Sequence, residues 1–323
     1  MPTVILLGSE LRFAWGAGAV ALARLAADAG MDGVAVGPAC TRRDVPLLAA
    51  AAASAGVPLL SSVAPLPDAR LSPGKRLPFL AATEDAEERR AAAALFDGTV
   101  DALAPLGVRL FTVNFGDVPL GTAAPAFVRR FARNEIDEGE PGARLWADAL
   151  AERRARSPEI LDACRYSLDL ILGAVERRGA ALALEISGGP WGAPSSREAE
   201  ILVAEYGSAP LGIVWDEARV QVLERLGAGL PDARRASLVA AARLWRAGDN
   251  VGIEVGYLPG MGDRAPSAPD PLRAAAVPVV ITGGPDCTLA EVTTARALVA
   301  GRPNAKPQAA PNAAPADPRA AST

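Results

Sequence analysis

The sequence contains no histidine, which excludes Ser-His-Asp and Cys-His catalysis, imidazole proton shuttling and every histidine-ligated metal site. Acid–base chemistry is left to carboxylate, Tyr, Cys or Lys. Lysine is almost missing too, since of 33 basic residues only Lys75 and Lys306 are not arginine. The three cysteines, Cys40, Cys164 and Cys287, lie far apart without a CxxC pair. That spacing argues against a disulfide framework or a thiolate zinc site, suits a reducing compartment, and leaves them as small apolar residues. Basic charge never runs beyond pairs such as Arg42-Arg43, and the net charge is −4, so the electrostatic footprint of a nucleic-acid binder is missing. No apolar stretch is long enough to span a membrane, and MPTVILLGSELRF has no basic leader region. A soluble cytoplasmic protein without a membrane or nucleic-acid partner is the expectation.

What is present is a chain of 323 residues, 50% of them hydrophobic, enough for a large buried core. Short aliphatic runs alternate with alanine-rich segments of helical character. Eight such runs are found: 3–7, 33–36, 57–63, 108–114, 180–186, 211–215, 251–255 and 277–282. Their near-continuous apolar character suits parallel strands covered by helices. Glycines Gly30, Gly56, Gly107 and Gly179 stand just before the second to fifth runs, where a left-handed helix end is expected. Repeated helix–Gly–strand units with right-handed crossovers leave a closed barrel or an open doubly wound sheet. Eight strands favour an α/β fold of the (β/α)8 TIM-barrel type.

The barrel is expected to fill residues 1–302 as one domain, followed by a disordered Ala/Pro-rich tail over 303–323. A mixed-charge segment at 117–156, after the fourth strand, reads as a helical insertion on the barrel rim and a surface on which a homo-oligomer would assemble. GAGAVA at 16–21 has the glycine spacing of a dinucleotide fingerprint, yet it starts well after the first strand, and the second strand ends in Val36-Gly37 without an acidic partner for a ribose. It reads as a helix start, and neither nicotinamide nor flavin is expected.

Carboxylates inside predicted strands carry the chemical signal, because a charge in a packed barrel is costly unless paired, hydrogen-bonded or metal-bound. Glu185 closes the fifth run (ALALEISGG) and Asp216 follows the sixth (GIVWDEAR), so both are expected at the C-terminal mouth where barrel active sites form. Glu254 falls in the run 251–255, taken as the seventh strand. Three carboxylates on consecutive strands form a hard oxygen cluster suited to Mg2+ or Mn2+. Asn114, Trp191 and Arg219 are placed by the same reading at that mouth, as contacts for a small polar ligand.

At these residues the chain resembles the xylose isomerase-like TIM-barrel superfamily, the sugar phosphate isomerase/epimerase group. The resemblance covers most of residues 1–300 and rests on LARLAADAGMDGVAV, ALALEISGG, GIVWDEAR and LPGMGD. It implies a divalent metal held by Glu185 and Asp216, with Glu185 also in acid–base work. Two histidines and a second glutamate of that pattern are replaced: the histidine after the Asp falls at about Arg219, the strand-seven histidine at Ile253 or Glu254, and the strand-eight glutamate at about Thr282. The acid often found on strand two is Ala35. Two functions follow as expectations. One is a divergent isomerase or epimerase of a small sugar-like or hydroxy-carbonyl compound, with Mn2+ or Mg2+ on Glu185, Asp216 and Glu254. The other is a catalytically degenerate barrel that binds a ligand or protein partner.

Overall fold

The computed structural model describes residues 4–8, 18–37, 40–69, 77, 85–118, 121, 140–186, 192–216, 220, 230–248, 277–282 and 289–300. Eight strands close into a barrel: β1 (Ile5–Gly8), β2 (Gly33–Val36), β3 (Leu59–Ala64), β4 (Leu110–Val113), β5 (Ala181–Glu185), β6 (Leu211–Asp216), β7 (Ala242–Gly248) and β8 (Val279–Thr282). Each pairs in parallel with its sequence neighbours, and β1 joins β8 through Leu6 opposite Val280. The helices are α1 (Gly18–Asp28), α2 (Val45–Ser54), α3 (Ala86–Leu103), α4 (Glu140–Ala155), α5 (Ser157–Arg177), α6 (Ser196–Glu205), α7 (Asp232–Ala240) and α8 (Leu289–Val299). This is the (β/α)8 architecture that eight apolar runs predict.

Local chemistry sets the helix ends. Asp85 accepts hydrogen bonds from the backbone N–H groups of Glu87 and Glu88 at the start of α3, and Ser195 with Glu198 forms a capping box on α6. Gly30, Gly56, Gly107 and Gly179 all have positive φ, so the glycines read as helix ends in the sequence do turn the chain from helix into strand.

Seven of the eight sequence runs coincide with strands, and the seventh, 251–255, lies outside the described residues. The strand between β6 and β8 is ARLWRAG at 242–248, where Trp245 pairs with both Trp215 and Val279. Residues 251–255, including Glu254, lie outside the described residues. The strand 242–248 gains hydrogen-bonded neighbours on both edges, from β6 and β8. The two arginines in ARLWRAG hid it: Arg243 is exposed and Arg246 points into the barrel, so the strand carries no continuous apolar run.

Alternation along each strand divides the core into two shells. Leu182, Leu184, Ile213, Trp215, Trp245, Val279 and Ile281 face the helices in the larger cluster. Leu6, Ala35, Ala183, Val214, Leu244 and Val280 meet inside the barrel as a separate apolar plug. Cys40 and Cys164 are buried free thiols, and burial, aided by Asp44, pushes Cys40 up to about 12, which suits inert apolar packing.

Gly212 shows how tightly β6 is seated. A Cβ there would come within 2.6 Å of both the Ala241 carbonyl oxygen and Arg243 Cγ, and a backbone oxygen cannot step aside as a side-chain end does. Gly212→Ala is expected to cost about 1–3 kcal/mol through strand displacement, read as a lower urea midpoint with an unchanged slope.

Candidate functional site at the barrel mouth

The residues directly above the apolar plug are polar. Following the inward parity of Ala183, Val214, Leu244 and Val280 by two residues leads to Glu185, Asp216, Arg246 and Thr282, each only 4–6% exposed. On β3 and β4 the same step leads from Leu60 and Leu110 to Ser62 and Thr112, which are buried as well. Six strands therefore present one polar group each at their C-terminal ends. This is the tier at which a barrel places its chemistry.

Within this tier the two sequence-predicted carboxylates are bridged by a guanidinium. Arg246 Nη2 donates to Glu185 Oε1 at 2.6 Å, and Arg246 Nη1 lies 3.5 Å from Asp216 Oδ2. Thr112 Oγ1 donates to the same Glu185 oxygen at 3.2 Å. The pairing of strands explains the meeting, because Asp216 is directly opposite Arg246 across β6 and β7. A buried cation between two buried anions offsets part of their desolvation.

Arg246, Thr112, Ser62 and Thr282 line a cavity of about 20 Å3 at the mouth. That volume admits roughly one water-sized oxygen among the strand ends. Thr282 Oγ1 is buried without a hydrogen-bond partner among the described residues, so a polar group stands at the cavity wall with its bonding capacity unused.

Of the remaining predicted site residues, Asn114 alone is among the described residues. Asn114 is exposed, and its Oδ1 accepts from the Gly116 backbone N–H at 2.7 Å, a turn just past β4. Trp191, Arg219 and Glu254 lie outside the described residues. Sequence reasoning missed Arg246 and Thr112. The signal available was alternation, since Leu244 and Arg246 share a face if 242–248 is a strand, and a buried carboxylate pair calls for a buried cation.

A divalent ion does not fit this arrangement. Carboxylate oxygens approach Mg2+ or Ca2+ to about 2.0–2.6 Å and several more oxygens complete the sphere. Here a guanidinium nitrogen already stands 2.6 Å from Glu185, so the ion and the guanidinium would claim the same space with the same sign of charge. No group of three or more Asp, Glu, His or Cys residues suited to a metal occurs among the described residues.

No family model and no curated relative matches the sequence. Solved structures do match over nearly the whole chain. A 3-keto-D-glucoside 4-epimerase from Escherichia coli is 13% identical with a TM-score of 0.58, covering 92% of this chain and 98% of that one. A D-psicose 3-epimerase crystallised with D-fructose has the same identity and TM-score, covering 94% of this chain and 98% of its own. A Rhodospirillum rubrum protein assigned as a xylose isomerase is 18% identical with a TM-score of 0.62, over 92% and 99%. The chain shares their fold. At this identity the likeness is one of architecture, and the site must be argued from its own residues. No helix among the described residues is long and apolar enough to cross a membrane.

Proposed function

We propose that this barrel binds a small, neutral, polyhydroxylated compound of sugar type at its C-terminal mouth, in a site that works without a divalent ion. The observation that carries the reading is the Glu185–Arg246–Asp216 cluster and the Thr282 hydroxyl, which has no hydrogen-bond partner among the described residues. A hydroxyl both donates and accepts, so one entering the cavity can accept from the Arg246 guanidinium and donate to the Thr282 oxygen, both of which line it. Two carboxylates against one guanidinium disfavour a phosphate or carboxylate ligand. The cavity takes only the tip of such a molecule, a single hydroxyl or carbonyl oxygen, and the rest would extend above the strand ends. Epimerases of free or keto sugars among the proteins of like fold support the same ligand class.

The test is calorimetric titration, in the presence of chelator, with ketohexoses, aldohexoses and cyclitols alongside sugar phosphates and aldonic acids. A neutral polyol is expected to bind, and Thr282→Val to weaken it by about tenfold, the worth of one hydrogen bond. Binding confined to the anionic compounds, or dependent on added Mn2+, would overturn the proposal. A second reading, a divergent isomerase or epimerase, draws on the buried Glu185 carboxylate as a base. Deuterium entering the bound compound from solvent would establish it, whereas binding without exchange identifies a ligand-binding barrel that has lost turnover.

A further inference from the structure

We infer that Arg246 is a built-in cation that takes the place of a divalent ion, and that its guanidinium, seated between Glu185 and Asp216, keeps a latent metal site closed. This inference does not depend on which ligand the mouth accepts. Three observations converge on it. Arg246 occupies the inward, C-terminal position of β7, one strand round from Asp216 and two from Glu185, so it projects into the point where the two carboxylates converge. Its guanidinium contacts both carboxylates while being only 4% exposed. Its backbone neighbours are fixed on both edges, Trp245 N–H donating to the Pro278 carbonyl at 2.9 Å, so the side chain is anchored within the sheet and not carried by a loop.

Chemically, a guanidinium performs part of what a metal ion performs. It holds two carboxylates together without mutual repulsion and offers N–H donors to a ligand oxygen entering the cavity it lines. It differs in being permanently present, indifferent to chelators and limited to hydrogen-bond donation. Metal dependence is therefore removed by one residue, while the carboxylate framework stays in place.

Reversing that residue should reopen the site. In Arg246→His the imidazole joins Glu185 and Asp216 as a third candidate ligand with no fixed charge at neutral pH. Arg246→Lys keeps the cation and should remain closed. Binding of Mn2+ to each protein is followed by water-proton relaxation and by thermal shift in chelator-stripped buffer. Wild type and Arg246→Lys are expected to show no stoichiometric Mn2+ binding at millimolar metal. Arg246→His is expected to bind one Mn2+ at least about tenfold more tightly than wild type and to gain thermal stability from it, and Asp216→Asn added to Arg246→His should abolish the gain. Stoichiometric Mn2+ binding by wild type, lost in Glu185→Gln, would overturn the inference without recourse to any Arg246 variant. A folded Arg246→His protein that binds Mn2+ no better than wild type would overturn it equally. Sugar binding by wild type in chelator is independent of both results, so failure of the ligand proposal and failure of this one can be told apart.

Discussion

Arg246→Met is expected to destabilise the protein by about 3–5 kcal/mol at neutral pH, the largest effect of any single change at the barrel mouth. Methionine fills much of the arginine volume, so cavity formation is a minor contribution. The loss is electrostatic: Glu185 and Asp216, at 5% and 6% exposure, would face each other without the guanidinium that now bridges them. Urea midpoints of the variant and wild type, compared at neutral pH, read the loss. The double variant Glu185→Gln/Arg246→Met, with one anion removed as well, should be more stable than Arg246→Met alone. A loss in Arg246→Met below about 1 kcal/mol would mean that the ion contact contributes nothing, as at an exposed pair.

The barrel was legible in the sequence because its strands obey a rule that depends only on local composition. Buried parallel strands covered by helices read as apolar runs, and runs such as GVAV at 33–36 and LGIVW at 211–215 coincide with β2 and β6 to within one residue. Glu185 and Asp216 stood out for the same reason, as charges where none is expected. The seventh strand failed the rule because it carries the compensating charge. ARLWRAG looks like the end of a helix until Arg246 is known to be needed inside, and that need exists only once Glu185 and Asp216 are seen to converge. The shift from 251–255 to 242–248 moved the strand-seven position from Glu254 to Arg246, and with it the sign of the charge at the mouth changed. An error of register in one strand thus altered the chemistry inferred for the whole site. Thr112 was hidden differently, since a threonine in a β-strand is ordinary by propensity and becomes notable only through its bond to Glu185.

A second expected loss of about 3–5 kcal/mol follows from Arg153→Met, at the buried ion pair with Glu198. Arg153 near the end of α4 donates through both terminal nitrogens to the two oxygens of Glu198 on α6, and Ser157, the first residue of α5, donates to the same carboxylate at 2.7 Å. Arg153 Nη2 also reaches the Gly192 carbonyl, in the short antiparallel ribbon that joins Gly192–Ala193 after β5 to Gly116–Asp117 after β4. One arginine thus ties helix α4 to α6 and to the Gly192–Ala193 segment of that ribbon. Burial works to raise the Glu198 carboxyl, but the Arg153 hydrogen bonds and charge, with help from Ser157 and the Ser195 N–H, hold it below the ordinary carboxylate value. A depressed carboxyl contributes stability that is fully present above its unfolded pKa and is lost as pH falls through the folded one. Wild type should therefore lose this contribution on acidification below the usual carboxylate range, while Arg153→Met has already lost it. The gap between the two urea midpoints should be widest near neutral pH and narrow steadily in acid. A gap that stays constant down to about pH 3 would show that the cost of Arg153→Met comes from packing and not from the ion pair.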